Sequence, residues 1–156
     1  MPARPAQPER PEPPSAATIA AYEATDYFAH GVPRLHLRIG DPAARHAGWL
    51  AGNAATSATI LTAWNPFGEE LDAAQNDAAQ SRLQAAIAAS GLRSLPASGE
   101  DPRGLWAPEP GFCVLDASDA LVDDWLRTFR QNAAVRIDGE RPCWLVWHPA
   151  IRDAMK

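Results

Sequence analysis

TILTAWNPFGEELDAAQNDAAQSRLQAAIAASG, residues 59–91, reads as one strand followed by the longest helix of the chain. Residues 59–64 are β-branched or apolar in the main, which suits a half-buried strand. The strand stops at Asn65-Pro66, because proline cannot continue a ladder and favours an extended residue before it. The helix is expected over 69–90, rich in Ala, Leu and Gln, with Gly91 as its C-terminal cap. Glu69, Glu70 and Asp72 would fill its first turn, at the positive end of the helix dipole. At 100° per residue Leu71, Ala79, Leu83, Ala86 and Ile87 form one apolar stripe. Asn76 lies on that stripe, and a buried amide there must find partners or cost about 1–3 kcal/mol.

Downstream, residues 92–95 read as a short strand and 96–111 as a long loop rich in Gly and Pro, carrying Trp106 and Glu109. Residues 112–115 are a buried strand. A helix starting at Asp116 or Ser118 presents Leu121, Val122, Trp125, Leu126 and Phe129, and ends near Gln131-Asn132. Residues 135–137 and 143–147 flank Asp138-Gly139, a hairpin signal. From residue 59 the order is strand, helix, strand, strand, helix, strand. That predicts an α+β fold: a mostly antiparallel sheet, two main helices on one face, and a ferredoxin-like, split βαβ core. An extra strand stands at each end, the upstream one at 35–39, closed by Gly40, Asp41 and Pro42. Before it, Ser15 is placed to cap a short helix reaching Ala24. Residues 1–14 carry a proline about every third position and almost no large apolar side chain, so they are expected to be a disordered tail of polyproline-II habit. Residues 15–156 then make one α+β domain, a length sufficient for a real core.

The formal charge of −5, with Lys156 the single lysine, opposes nucleic-acid binding, since phosphate recognition depends on clustered cations. No apolar run reaches membrane-spanning length. The N-terminus places prolines and a glutamate where a signal peptide needs an apolar stretch, so a soluble, cytoplasmic protein is expected. Cys113 and Cys143 lie in apolar runs without metal-type spacing and read as buried reduced thiols. His30, His36, His46 and His148 occur singly, so neither metal nor cofactor is expected. Phosphate-binding loops, nucleophile elbows and HExxH or CxxC motifs are absent.

The run Thr62-Ala63-Trp64-Asn65-Pro66-Phe67 resembles the signature of DUF3293, a bacterial domain family of unknown function. The resemblance continues through Asn76, Gly91-Leu92, residues 106–110 with Glu109, and Phe129-Arg130-Gln131-Asn132-Ala133, and spans about 21–146. The chain departs from the family's usual residues at Leu61, where Ile or Phe is common. Gly68 and Gly111 stand where serine is usual, so hydroxyl roles are not carried over there. The resemblance implies domain boundaries and a residue set, and no activity.

That set is Asn65, Asn76, Glu109, Gln131 and Asn132. Uncharged amides and one carboxylate present many donors and acceptors, which suits a small polar ligand such as a base, an amide or an amino acid. A catalytic version would use Glu109 as general base with the amides holding a polarised oxygen, although no nucleophile is evident. The same residues have a structural reading. Asn65 would then hold an Asx-type turn, Asn76 and Gln131 would tie loop backbone, and Asn132 would end its helix in a left-handed conformation. The competing function is a protein-interaction or regulatory module, exposing an apolar patch around Trp144 and Trp147.

Overall fold

The computed structural model describes residues 11–156. Of the expected disordered tail, residues 1–10 lie outside the described residues, and residues 11–14 have no regular structure. The elements are α1 (Ala16–Ala24), β1 (Asp26–Ala29), β2 (Leu35–Leu37), α2 (Ala47–Gly52), β3 (Ser57–Leu61) and α3 (Ala73–Ala89). They continue as β4 (Ser94–Glu100), β5 (Glu109–Leu115), α4 (Asp119–Thr128), β6 (Ala133–Asp138), β7 (Trp144–Trp147) and α5 (Pro149–Ala154).

All seven strands form one antiparallel sheet in the order β2-β1-β4-β5-β3-β6-β7. The α+β class expected from the sequence is therefore correct. Within the sheet β5 lies between β3 and β4, the two strands joined through α3, and β6 flanks β3 on its other side. α3 and α4 share one face: Leu83, Ile87, Val122, Trp125 and Leu126 pack there on Leu61, Val114 and Ala134. The opposite face carries Ala58, Ile60, Cys113, Val135 and Ile137, with α2 contributing Trp49 and Leu50 and α1 contributing the partly buried Tyr22.

Several expectations need correction. β1 was missed, because four residues are too few to show a period. α2 was also missed. Half of the expected loop 96–111 is sheet: β4 extends to Glu100 and β5 begins at Glu109, in register Pro96↔Phe112 and Ser98↔Pro110. Neither proline breaks the sheet. The Pro96 carbonyl accepts from His30 N–H (2.8 Å) just past the end of β1. The Pro110 carbonyl faces the region beyond the end of β3, where Thr62 Oγ1 (2.7 Å) and Gln80 Nε2 (2.6 Å) donate to it. Each missing N–H thus points where the neighbouring strand has already ended. Gly111 sits so close to β3 that a Cβ would lie 2.5 Å from the Leu61 carbonyl oxygen.

α3 starts one turn later than expected. Asp72 caps it, accepting from Gln75 N–H (2.8 Å) while Gln75 Oε1 accepts from Asp72 N–H (3.3 Å). This reciprocal box leaves Glu69 and Glu70 outside the helix. Gly91 follows α3 at φ +75°, the left-handed geometry a helix stop favours. Ser15 caps α1 as anticipated, and of the two candidates for the start of α4 it is Ser118, not Asp116, that caps the helix. α4 ends at Thr128, and the left-handed residue after it is Arg130 (φ 53°) rather than Asn132.

Candidate functional site

β3 ends at Leu61, three residues before its sequence suggests, because side chains of α3 take over the backbone partners that a strand would supply. Gln80 Oε1 accepts from Ala63 N–H (2.7 Å), and Thr62 Oγ1 accepts from Trp64 N–H (2.9 Å). Asn76 Oδ1 accepts from Asn65 N–H (2.9 Å), and its amide donates to Asn65 Oδ1 (2.9 Å) and to the Leu71 carbonyl (3.3 Å). Asn65 Oδ1 also accepts from Leu71 N–H (3.1 Å). The expected extended conformation of Asn65 is therefore not adopted. It sits at φ 46°, ψ 67°, a left-handed geometry that asparagine tolerates and that these bonds hold in place.

The loop after α4 meets this one. Phe67 N–H donates to the Arg130 carbonyl (2.6 Å), and both residues have positive φ, 50° and 53°. Such geometry in non-glycine residues costs about 1–3 kcal/mol each and persists only where surrounding contacts over-determine it. Gln131 Nε2 spans both loops, donating to the carbonyls of Trp64 (3.3 Å) and Phe129 (3.1 Å). Asn132 lines the same cavity as Tyr22 of α1, and its carbonyl accepts from His148 N–H (2.7 Å).

Between α1 and the sheet lies a cavity of about 290 Å³, adjoined by a second of about 320 Å³ beside the clasped loops. Both are lined by Thr18, Tyr22, Glu109 and Gln131. Tyr27 and Trp106 complete an aromatic wall in the first, and Trp64 and Phe67 do so in the second. Among the described residues neither wall contains Lys, Arg or His.

Glu109 begins β5 on the face shared with Tyr27, separated from it across the sheet by Gly99. Among the described residues no hydrogen bond or ion pair engages its carboxyl group. Burial alone pushes its pKa from 4.5 up to about 7. The Tyr22 phenol is pushed up to about 12, first by burial and then by the Glu109 charge, and Tyr27 is raised for the same leading reason.

Four of the five sequence candidates, Asn65, Glu109, Gln131 and Asn132, therefore line the cavities. Asn76 does not: it is 2% exposed and braces the loop from beneath. Sequence reading missed Gln80, although its i, i+4 spacing from Asn76 places both amides on one helical face. It also missed Tyr22 and Tyr27, whose neighbourhood depends on strands far away in the chain. Cys113 and Cys143 are free and buried, their thiols pushed up to about 12 by desolvation. Among the described residues no group of three or more His, Cys, Asp or Glu is placed to hold a metal ion, and no helix is long and apolar enough to cross a membrane. Trp144 and Trp147 are half-buried: the Arg141 guanidinium lies 3.9 Å from the Trp144 ring centre, and Tyr22 meets Trp147 edge-on at 5.5 Å.

Comparison with known proteins finds one family. The DUF3293 family model, described as a protein of unknown function, matches residues 61–134, from the end of β3 to the start of β6. No curated protein and no solved structure matches the chain.

Proposed function

We propose that this chain, whose residues 61–134 belong to the DUF3293 family, binds a small organic ligand between α1 and the sheet, with Glu109 as the contacting group. One observation carries the reading: Glu109 is shared by both cavities and is desolvated without a hydrogen-bond or ion-pair partner among the described residues. Structural carboxylates at such depth are normally paired, and perturbed groups in clefts cluster at functional sites. The cavity volume falls near the lower end of small-molecule sites, ~300–1,000 Å³.

The amides take a different part from the one their composition suggests. Asn65 and Asn76 are occupied with each other, and Gln131 with two carbonyls, so they shape the site and Glu109 meets the ligand. A catalytic form would use Glu109 as general base, since a carboxyl group near neutrality is suited to proton transfer at working pH. The half-buried state of Trp144 and Trp147 favours this reading over an interaction module, and the cation-free walls favour a small organic molecule over a nucleic acid. Two free buried thiols accord with a reducing cytoplasm.

The test is a thermal-shift screen of the purified chain against amines, amides, nucleosides, amino acids and organic acids, repeated with Glu109→Gln and Asn65→Ala. A ligand at a hundred times its dissociation constant should stabilise by about 2.7 kcal/mol. The reading expects a stabilising class whose effect is lost in Glu109→Gln while that variant stays folded. Asn65→Ala should lower the melting temperature without ligand. An unresponsive protein, or a ligand effect indifferent to Glu109→Gln, overturns it.

A further inference from the structure

Most polar side chains of the cavity wall are committed to partners within the chain. Thr25 Oγ1 donates to the Ala21 carbonyl and Thr62 Oγ1 to the Pro110 carbonyl, at 2.7 Å each. The Tyr27 hydroxyl donates to the Tyr22 carbonyl (3.3 Å). Ser98 Oγ donates to Glu100 Oε2 (3.0 Å) and contacts His30 Nε2 (2.8 Å). Gln131 is spent on two loop carbonyls. Among the described residues the Glu109 carboxyl is the one group of this wall able to carry a full charge near neutral pH, and Tyr22, Tyr27 and Trp106 line the cavity with it.

A lone desolvated carboxylate is unfavourable until an opposite charge joins it. Among the described residues nothing on the walls supplies that charge, which leaves it to the ligand. Aromatic rings attract a cation, more strongly when desolvated, so Tyr22, Tyr27 and Trp106 in the same wall reinforce the demand that Glu109 makes. An anionic group on the ligand would find no Arg, Lys or His to receive it. A hard divalent metal needs several oxygen ligands, and one carboxylate does not make such a site.

Resting on the small-ligand reading above, we infer that the ligand is a monocationic amine with an apolar or aromatic body and no carboxylate or phosphate, its ammonium held by Glu109 within the Tyr22–Tyr27–Trp106 enclosure. Zwitterionic amino acids and nucleotides are thereby excluded as ligands of this cavity. The titratable groups facing Glu109 are Tyr22 from α1 and Tyr27 from β1, both neutral across pH 6–8 because burial raises them. β3, β4, β6 and β7 bring no charged side chain to the wall. Amine binding therefore displaces the Glu109 proton, and affinity falls with pH.

The experiment is titration calorimetry of the full chain and of Glu109→Gln with benzylamine, phenethylamine and tryptamine. Phenethyl alcohol is the neutral match, and phenylalanine and phenyl phosphate are the matches bearing an acid. The amines should bind at least about tenfold tighter than the alcohol and both acids, and Glu109→Gln should lose that margin while keeping any affinity for the alcohol. Between pH 8 and pH 6 amine affinity should fall about tenfold in the parent and stay level in Glu109→Gln, following a group that titrates near 7. If the alcohol or phenylalanine equals the amines, or if amine binding survives Glu109→Gln unchanged, the cationic ligand is wrong while the small-ligand site stands. If none of the six compounds binds at millimolar concentration and the broad screen also stabilises nothing, both readings fail together.

Discussion

Glu109 and Asn76 are both polar groups withdrawn from water, and they differ in their partners, which is what sets the proposed ligand contact apart from a bracing residue. Asn76 is 2% exposed, yet both ends of its amide are bonded. Glu109 has a wall of rings and no counter-charge, and its pKa in the fold rises to about 7. Because the folded state holds the proton more tightly than the unfolded chain, stability is fully present below pH 4.5 and is lost as pH rises towards about 7. That shift corresponds to at most about 3 kcal/mol. Glu109→Gln removes the charge, so it should be more stable than the parent at pH 8 by about 1–3 kcal/mol, the difference closing towards pH 4.5. Urea unfolding at the two pH values measures it, and a pH-independent difference would show that burial does not perturb Glu109.

The end of β3 is decided by α3 across the loop between them. Asn76 and Gln80, one turn apart on α3, receive N–H groups of residues 65 and 63 and so hold the left-handed Asn65. Asn65→Ala and Asn76→Ala should each lose about 1–3 kcal/mol of unfolding free energy. The double variant should lose less than their sum by at least about 0.5 kcal/mol, because the two share one bond network. Denaturant titration of the four proteins completes the cycle, and strict additivity would mean the pair is not coupled. The partners that Asn76 needs were legible as a demand from its place on the apolar stripe. Which groups met that demand was not, since Asn65 lies eleven positions away through a loop of unusual backbone geometry. Likewise Pro96 and Pro110 read locally as strand breakers, and only the lengths of the neighbouring strands make them harmless.

At the scale of the molecule, seven strands give the core its rigidity, while the cavity roof comes from the least anchored helix. α1 has no fully buried residue and rests on the sheet chiefly through Tyr22. Helices with few buried contacts open at low free-energy cost, so amide hydrogens of residues 16–24 should exchange faster than those of α3 or α4. Occupancy of the cavity should slow them selectively. Hydrogen exchange with mass-spectrometric readout, with and without a binding amine, tests this, and equal protection of all three helices would count against α1 as a roof. The sequence by itself determined the α+β class, the helix cap at Ser15, the stop at Gly91 and the pairing of β6 with β7, and it narrowed the start of α4 to Asp116 or Ser118. Those features are written in residues a few positions apart, where capping, periodicity and turn chemistry act. Only the tertiary structure decided that β4 and β5 run through their prolines, that the amides turn inward on each other, and that Glu109 is left alone among aromatic rings. Each of these depends on groups brought together from distant segments, and desolvation exists only once those segments have closed around the charge.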